Sequence, residues 1–181
     1  YNQEDAYFLT LTIVQWADLF SRKVYRDIII DNLFYCQHNK GLEIYAYVVM
    51  TNHIHLLCRS LTENLSGTLR DFKSYTAKQI LKKMGEIDES RKDWLLIIFR
   101  HSAQTAQSSS EYQIWNHSNQ PIHVYSNKFI EQKVNYIHMN PVVAGFVENP
   151  EDYLYSSARN YADLKALLPV VKVTLRWKTY E

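Results

Sequence analysis

Two cysteines, Cys36 and Cys58, are too few for a disulfide scaffold and stand at no zinc-binding spacing. Both lie among apolar residues and read as buried thiols of a reducing cytoplasm. No apolar run approaches the roughly 18 residues of a membrane span, and the start carries no signal-peptide pattern, so no membrane partner is expected. Excess charge is missing too: 20 basic against 19 acidic residues leave +1, so a nucleic-acid partner would need positive charge concentrated locally. Four glycines leave few flexible loops, whereas tyrosine is abundant, with 14 residues. The length suits one domain over 1–181, with a C-terminal extension from about 158. The first residue is Tyr1 rather than Met, which points to a trimmed N-terminus.

Tyr7–Val14 (YFLTLTIV) is aromatic and β-branched and predicts a strand. Tyr25–Asn39 places Ile29, Leu33, Phe34 and Cys36 at a helical period, and Asn39-Lys40-Gly41 supplies the stop. Leu42–Met50 and His53–Arg59 predict two strands joined by Thr51-Asn52 in a tight hairpin. Ser66–Met84 predicts a helix with Leu69, Phe72, Ala77, Ile80, Leu81 and Met84 on its apolar side. Its Arg70, Lys73, Lys78, Lys82 and Lys83 form the strongest basic cluster in the chain. That cluster is either a solvated face or, with Phe72 and Tyr75 interleaved, a surface that tracks phosphates. Trp94–Arg100 fits strand or helix, and 101–111 reads as a polar surface loop. Around the turn-like NHSNQP, Tyr112–Tyr125 leads to a helix over Asn127–Met139 that should end before Asn140-Pro141. An aromatic and basic tail closes the chain. Strand, helix, hairpin, helix, strand, helix is an α+β order: an antiparallel sheet with helices packed on it, in a ferredoxin-like βαββαβ pattern.

Within VVMTNHIHLL, His53 and His55 share one strand face. Two neutral imidazoles so placed can grip a divalent metal, although a bare His-x-His better fits histidines on the exposed face of an edge strand, or satisfied core histidines. In KVNYIHMNPVVAGFV, Tyr136 and Asn140 lie at i and i+4, on one helix face. Together they offer a phenol nucleophile beside an amide oxygen. A phenol with a pKa near roughly 10 attacks poorly until a base or cation favours phenolate. Tyr75, with Gln79 at i+4, satisfies the same spacing, so spacing alone leaves two candidate nucleophiles.

MTNHIHLL, FKSYTAKQI, the Trp115 segment ending QPI and VNYIHMNPVVAGFVENPEDYLYSS together resemble the HUH single-strand DNA transposases. The similar branch is that of the REP-associated tyrosine transposases, or insertion-sequence-200-like transposases, with motifs in the family's order from the first strand to Ser157. The resemblance implies a ferredoxin/RRM-like sheet with His53 and His55 on a central strand, binding Mg²⁺ or Mn²⁺. It makes Tyr136 rather than Tyr75 the catalytic residue, forming a 5′-phosphotyrosine link and a free 3′-OH, and Asn140 the third metal ligand. Single-stranded or hairpin DNA becomes the expected substrate, in a bacterial cytoplasm, with Arg70, Lys73, Lys78, Lys82 and Lys83 as backbone contacts. The family contains both dimers and monomers, so a homodimer stays open. Thr51 stands where the family often has Pro. A relative that binds DNA hairpins without cutting, and a metallohydrolase using water, are the alternatives.

Overall fold

A computed structural model describes residues 5–117 and 121–173. The β-branched and aromatic run YFLTLT forms strand β1 (Tyr7–Thr12). Helix α1 (Lys23–Asn39) follows, then the hairpin of β2 (Leu42–Val49) and β3 (His53–Ser60). Two helices come next, α2 (Leu65–Glu86) and α3 (Lys92–Thr105). A two-residue strand β4 (Ile122–His123), helix α4 (Asn127–Val143) and the short α5 (Ala158–Tyr161) complete the order. The sheet runs β2-β3-β1-β4, all antiparallel. The fold is therefore α+β as expected, with two helices rather than one between β3 and β4.

Register decides what the sheet presents. Thr10 pairs with His55, Thr12 with His53 and Phe8 with Leu57, while Val48 flanks His55 from β2. Side chains alternate, so Phe8, Thr10, Thr12, His53 and His55 share one face. Leu9, Leu11, Ile54 and Leu56 take the other and are fully buried, so both faces are covered. The turn between β2 and β3 is tight, as its two residues require: Met50 N–H donates to His53 O at 2.9 Å.

Two expectations fail at helix ends. Residues 101–105 continue α3 instead of opening a loop, because Ser102 and Ala103 turn inward and are buried. Helix α4 does not stop before Asn140-Pro141 but runs through Pro141 to Val143. Pro141 is buried, and packing of that last turn offsets the backbone bond its ring forgoes. Gly145, with φ +74°, then ends the helix: its N–H donates to Val142 O and Phe146 N–H to Pro141 O, both at 2.9 Å. The NHSNQP turn lies partly, and the aromatic and basic tail beyond 173 wholly, outside the described residues. Cys36 and Cys58 are free and buried, and burial pushes their thiols up to about 11 and about 12.

The segment after α4 closes the outer edge of β2, which would otherwise offer open backbone groups. Val49 N–H donates to Tyr155 O, Tyr47 N–H to Ser157 Oγ, and Val171 N–H to Ile44 O, each at 2.9 Å. Ser157 Oγ also lies 2.8 Å from His138 Nε2, tying this segment to α4. Burial pushes the His138 pKa down to about 4, against roughly 6.5 in an unfolded chain. Above that upper value His138 is neutral in both states. As pH falls from there toward about 4, only the unfolded chain takes up the proton, and stability is lost, by about 3 kcal/mol at most. In urea unfolding at a series of pH values, His138→Gln is expected to flatten the loss of stability between these two pKa values. An unchanged pH dependence would contradict the burial assigned to His138.

Candidate active site on the sheet face

Helix α4 lies across the histidine face and brings Tyr136 to it. The Tyr136 ring stands 5.2 Å from that of His55 and 5.8 Å from that of Phe8, both edge-on. Phe8 stacks on His55 at 5.3 Å, and the two imidazoles are 4.6 Å apart. Tyr136 is nevertheless 49% exposed, so the site opens to solvent at this residue. The two histidines and Tyr136 meet within a single chain. Asn140 is half-buried one turn further along α4, and among the described residues its side chain makes no hydrogen bond. Tyr75 sits elsewhere, lining a groove between α1 and α2 with Asp31, Tyr35 and Phe72.

The rings are held from behind. Asn52 Nδ2 donates to Trp16 O and to Asp18 Oδ1, both at 3.3 Å, which turns its amide oxygen toward His53. His53 Nδ1–H therefore donates to Asn52 Oδ1 at 2.7 Å, and the lone pair of its Nε2 is left available. His55 Nδ1 shares a hydrogen bond with Thr10 Oγ1 at 3.0 Å. Partners on Nδ1 that fix the ring and leave Nε2 as donor are a usual arrangement behind metal-binding histidines. Thr51, where Pro would be familiar, anchors the same turn through Oγ1 to Asp18 Oδ1 at 2.9 Å.

Charge in the site follows from burial. Desolvation pushes His55 down to about 3, with repulsion from His53 and Lys133 adding to it, and lowers His53. Both are thus neutral at pH 7, the state a metal ligand requires. No group of three His, Cys, Asp or Glu side chains converges among the described residues. Imidazole nitrogens are donors for first-row transition-metal dications rather than for Mg²⁺, which favours oxygen shells.

Lys133, which the sequence reading passed over, is one turn before Tyr136. Its ammonium lies 4.4 Å from the Phe8 ring centre, 5.2 Å from that of Phe129 and 5.8 Å from that of Tyr136. Among the described residues it has no carboxylate partner. The α2 cluster is more occupied. Arg70 pairs with Asp71, and Lys82 and Lys83 pair with Glu86. Lys73 donates to Asn116 O at 2.7 Å, and burial pushes its pKa down to about 8. Lys78 is exposed.

The family model described as "Transposase IS200 like" matches residues 17–102, which include both histidines. Helix α4 with Tyr136 lies beyond the matched stretch. No curated protein matches. The fold is similar to that of a REP-associated tyrosine transposase solved bound to a REP hairpin, with TM-score 0.58 and 20% identity over 100% of this chain and 94% of that one. A putative transposase from Deinococcus radiodurans R1 has TM-score 0.44 and 20% identity over 76% of this chain and 91% of that one.

Nitrogen-15 NMR of the metal-free protein is expected to show His55 neutral down to pH 5, with His53 protonated at Nδ1 alone. A ring at position 55 that titrates near the ordinary histidine value would contradict this environment.

Proposed function

We propose that this protein is a metal-dependent single-strand DNA endonuclease and strand transferase working through a 5′-phosphotyrosine intermediate. The observation that carries this reading is the Tyr136 ring 5.2 Å from His55, on the face where both imidazoles are neutral and backed at Nδ1. The Tyr136 oxygen attacks the phosphorus of a phosphodiester, and the bond from phosphorus to the 3′ oxygen breaks. The phenol proton leaves to solvent, and the departing oxygen takes up a proton to become a 3′-OH. The phosphodiester energy is kept in the phosphotyrosine, so attack by a 3′-OH rejoins the strand without ATP.

His53, His55 and Asn140 would hold Mn²⁺ or Mg²⁺, which when bound neutralises the non-bridging oxygens and aligns the leaving group. Lys133 adds a fixed positive charge beside the attacking ring. Thr10 and Asn52 keep the imidazoles in place. Hairpin DNA with an unpaired flank is the proposed substrate, supported by the similar protein solved with a REP hairpin and by the exposure of Tyr136. A single strand can lay its phosphate into a site on a sheet face, whereas a duplex holds that phosphate away. Of the α2 residues, Arg70, Lys78, Lys82 and Lys83 remain candidates for backbone contacts beyond the site.

Incubation with labelled hairpin DNA carrying a single-stranded flank, with Mn²⁺ or Mg²⁺, should give an SDS-resistant protein–DNA adduct. Tyr136→Phe is expected to abolish it and Tyr75→Phe to leave it intact. Cleavage without an adduct would instead indicate a water-using hydrolase, and binding without cleavage a hairpin-binding relative. Lys133→Met is expected to slow adduct formation about ten- to a hundredfold, and Lys133→Arg to recover part of the rate. An unchanged rate in Lys133→Met would remove Lys133 from the chemistry.

A further inference from the structure

Trp16 is 62% exposed although it lies between Val14 and Ala17, which are both buried. The backbone turns it outward by an uncommon route. Gln15 and Trp16 both have φ near +53°, a left-handed conformation that is rare for a single non-glycine residue and rarer for two in succession. Such conformations persist only where the surroundings over-determine them, and they cluster at functional sites.

Here the surroundings are explicit. Ile13 N–H donates to Asn52 O, Val14 N–H to Ile114 O and Phe20 N–H to Thr51 O, which clamps the segment at both ends. Trp16 O accepts from Asn52 Nδ2, the same amide whose oxygen holds His53. The centre of the indole ring stands 5.9 Å from that of the His53 ring, at 72° to it. One side chain, Asn52, thus fixes an imidazole of the site and the backbone of an exposed aromatic beside it.

Resting on the strand-transfer reading above, we propose that Trp16 is a stacking platform for an unpaired nucleobase next to the phosphate that Tyr136 attacks. A phosphate seated at His53, His55 and Tyr136 brings a neighbouring nucleotide to the mouth of the site, where Trp16 offers an open π-face. A paired base must first be unpaired and unstacked to use that face, so the platform favours single strands over duplex. Every base has a π-face, so the selection is for strandedness rather than sequence.

The test uses the Tyr136→Phe protein, which binds without covalent capture. Its affinity is measured by fluorescence polarisation for a labelled oligothymidylate of about twelve nucleotides and for an abasic strand of the same length and charge. Trp16→Ala is expected to weaken oligothymidylate binding about tenfold and to leave abasic-strand binding unchanged. Trp16→Phe should restore most of the loss, which separates stacking from damage to the fold. Equal loss on both strands, no loss on either, or no binding of oligothymidylate before Trp16 is changed would each overturn the platform. Adduct formation by the protein with Tyr136 intact is scored separately. Its absence beside a retained Trp16 effect would sink the strand-transfer reading alone, and its presence without that effect would sink the platform alone.

Discussion

The pairing of β1 with β3 in one register underlies everything the site does. Thr10 opposite His55 lets a hydroxyl meet an imidazole nitrogen at 3.0 Å, and Phe8, two residues away, stacks on the same ring. A slip of one residue would turn β3 over and send both histidines into the apolar layer now filled by Ile54 and Leu56. The hydrophobic pattern that prevents the slip is thus also what aims the histidine face. The fully buried Leu9 and Leu11 fix that choice from β1.

A second layer of constraint gathers at the hairpin turn. Thr51 and Asn52 receive backbone N–H groups from Phe20 and Ile13, and their side chains converge on Asp18. Two residues therefore set the turn, hold His53 and fix the strained segment at Gln15 and Trp16. The two left-handed residues cost roughly 1–2 kcal/mol each, a local expense offset by the hydrogen bonds that lock the segment. Helix α4 supplies the remaining wall through Tyr136 and Lys133, and it is held down by Val134, Ile137, His138 and Pro141.

Much of this was legible in the residues. The strand content of YFLTLTIV, the hairpin around Thr51-Asn52 and the shared face of His53 and His55 follow from a period of two. The amphipathic helices follow from a period near 3.6. Helix ends were less legible: Pro141 was expected to end α4, yet burial of its ring carries the helix another turn, and Ser102 and Ala103 are drawn inward by packing. Spacing could not choose between Tyr75 and Tyr136, because both have an amide at i+4. The family resemblance favoured Tyr136, and tertiary placement separates the two as well, with one ring against His55 and the other in a groove beside α1. Lys133, Thr10 and Trp16 left no signal because their neighbours at the site come from distant parts of the chain. The basic residues of α2 were conspicuous in sequence, but four of the five are engaged within the fold.

The central claim is that His53, His55 and Tyr136 of the same chain make one site. Mixing two inactive proteins, one carrying His53→Ala with His55→Ala and the other Tyr136→Phe, tests it directly. With hairpin DNA and Mn²⁺, a site built within each chain leaves the mixture unable to form the phosphotyrosine adduct that the unsubstituted protein forms. Recovery of adduct in the mixture, with the DNA attached to the chain that lacks the histidines, would contradict it.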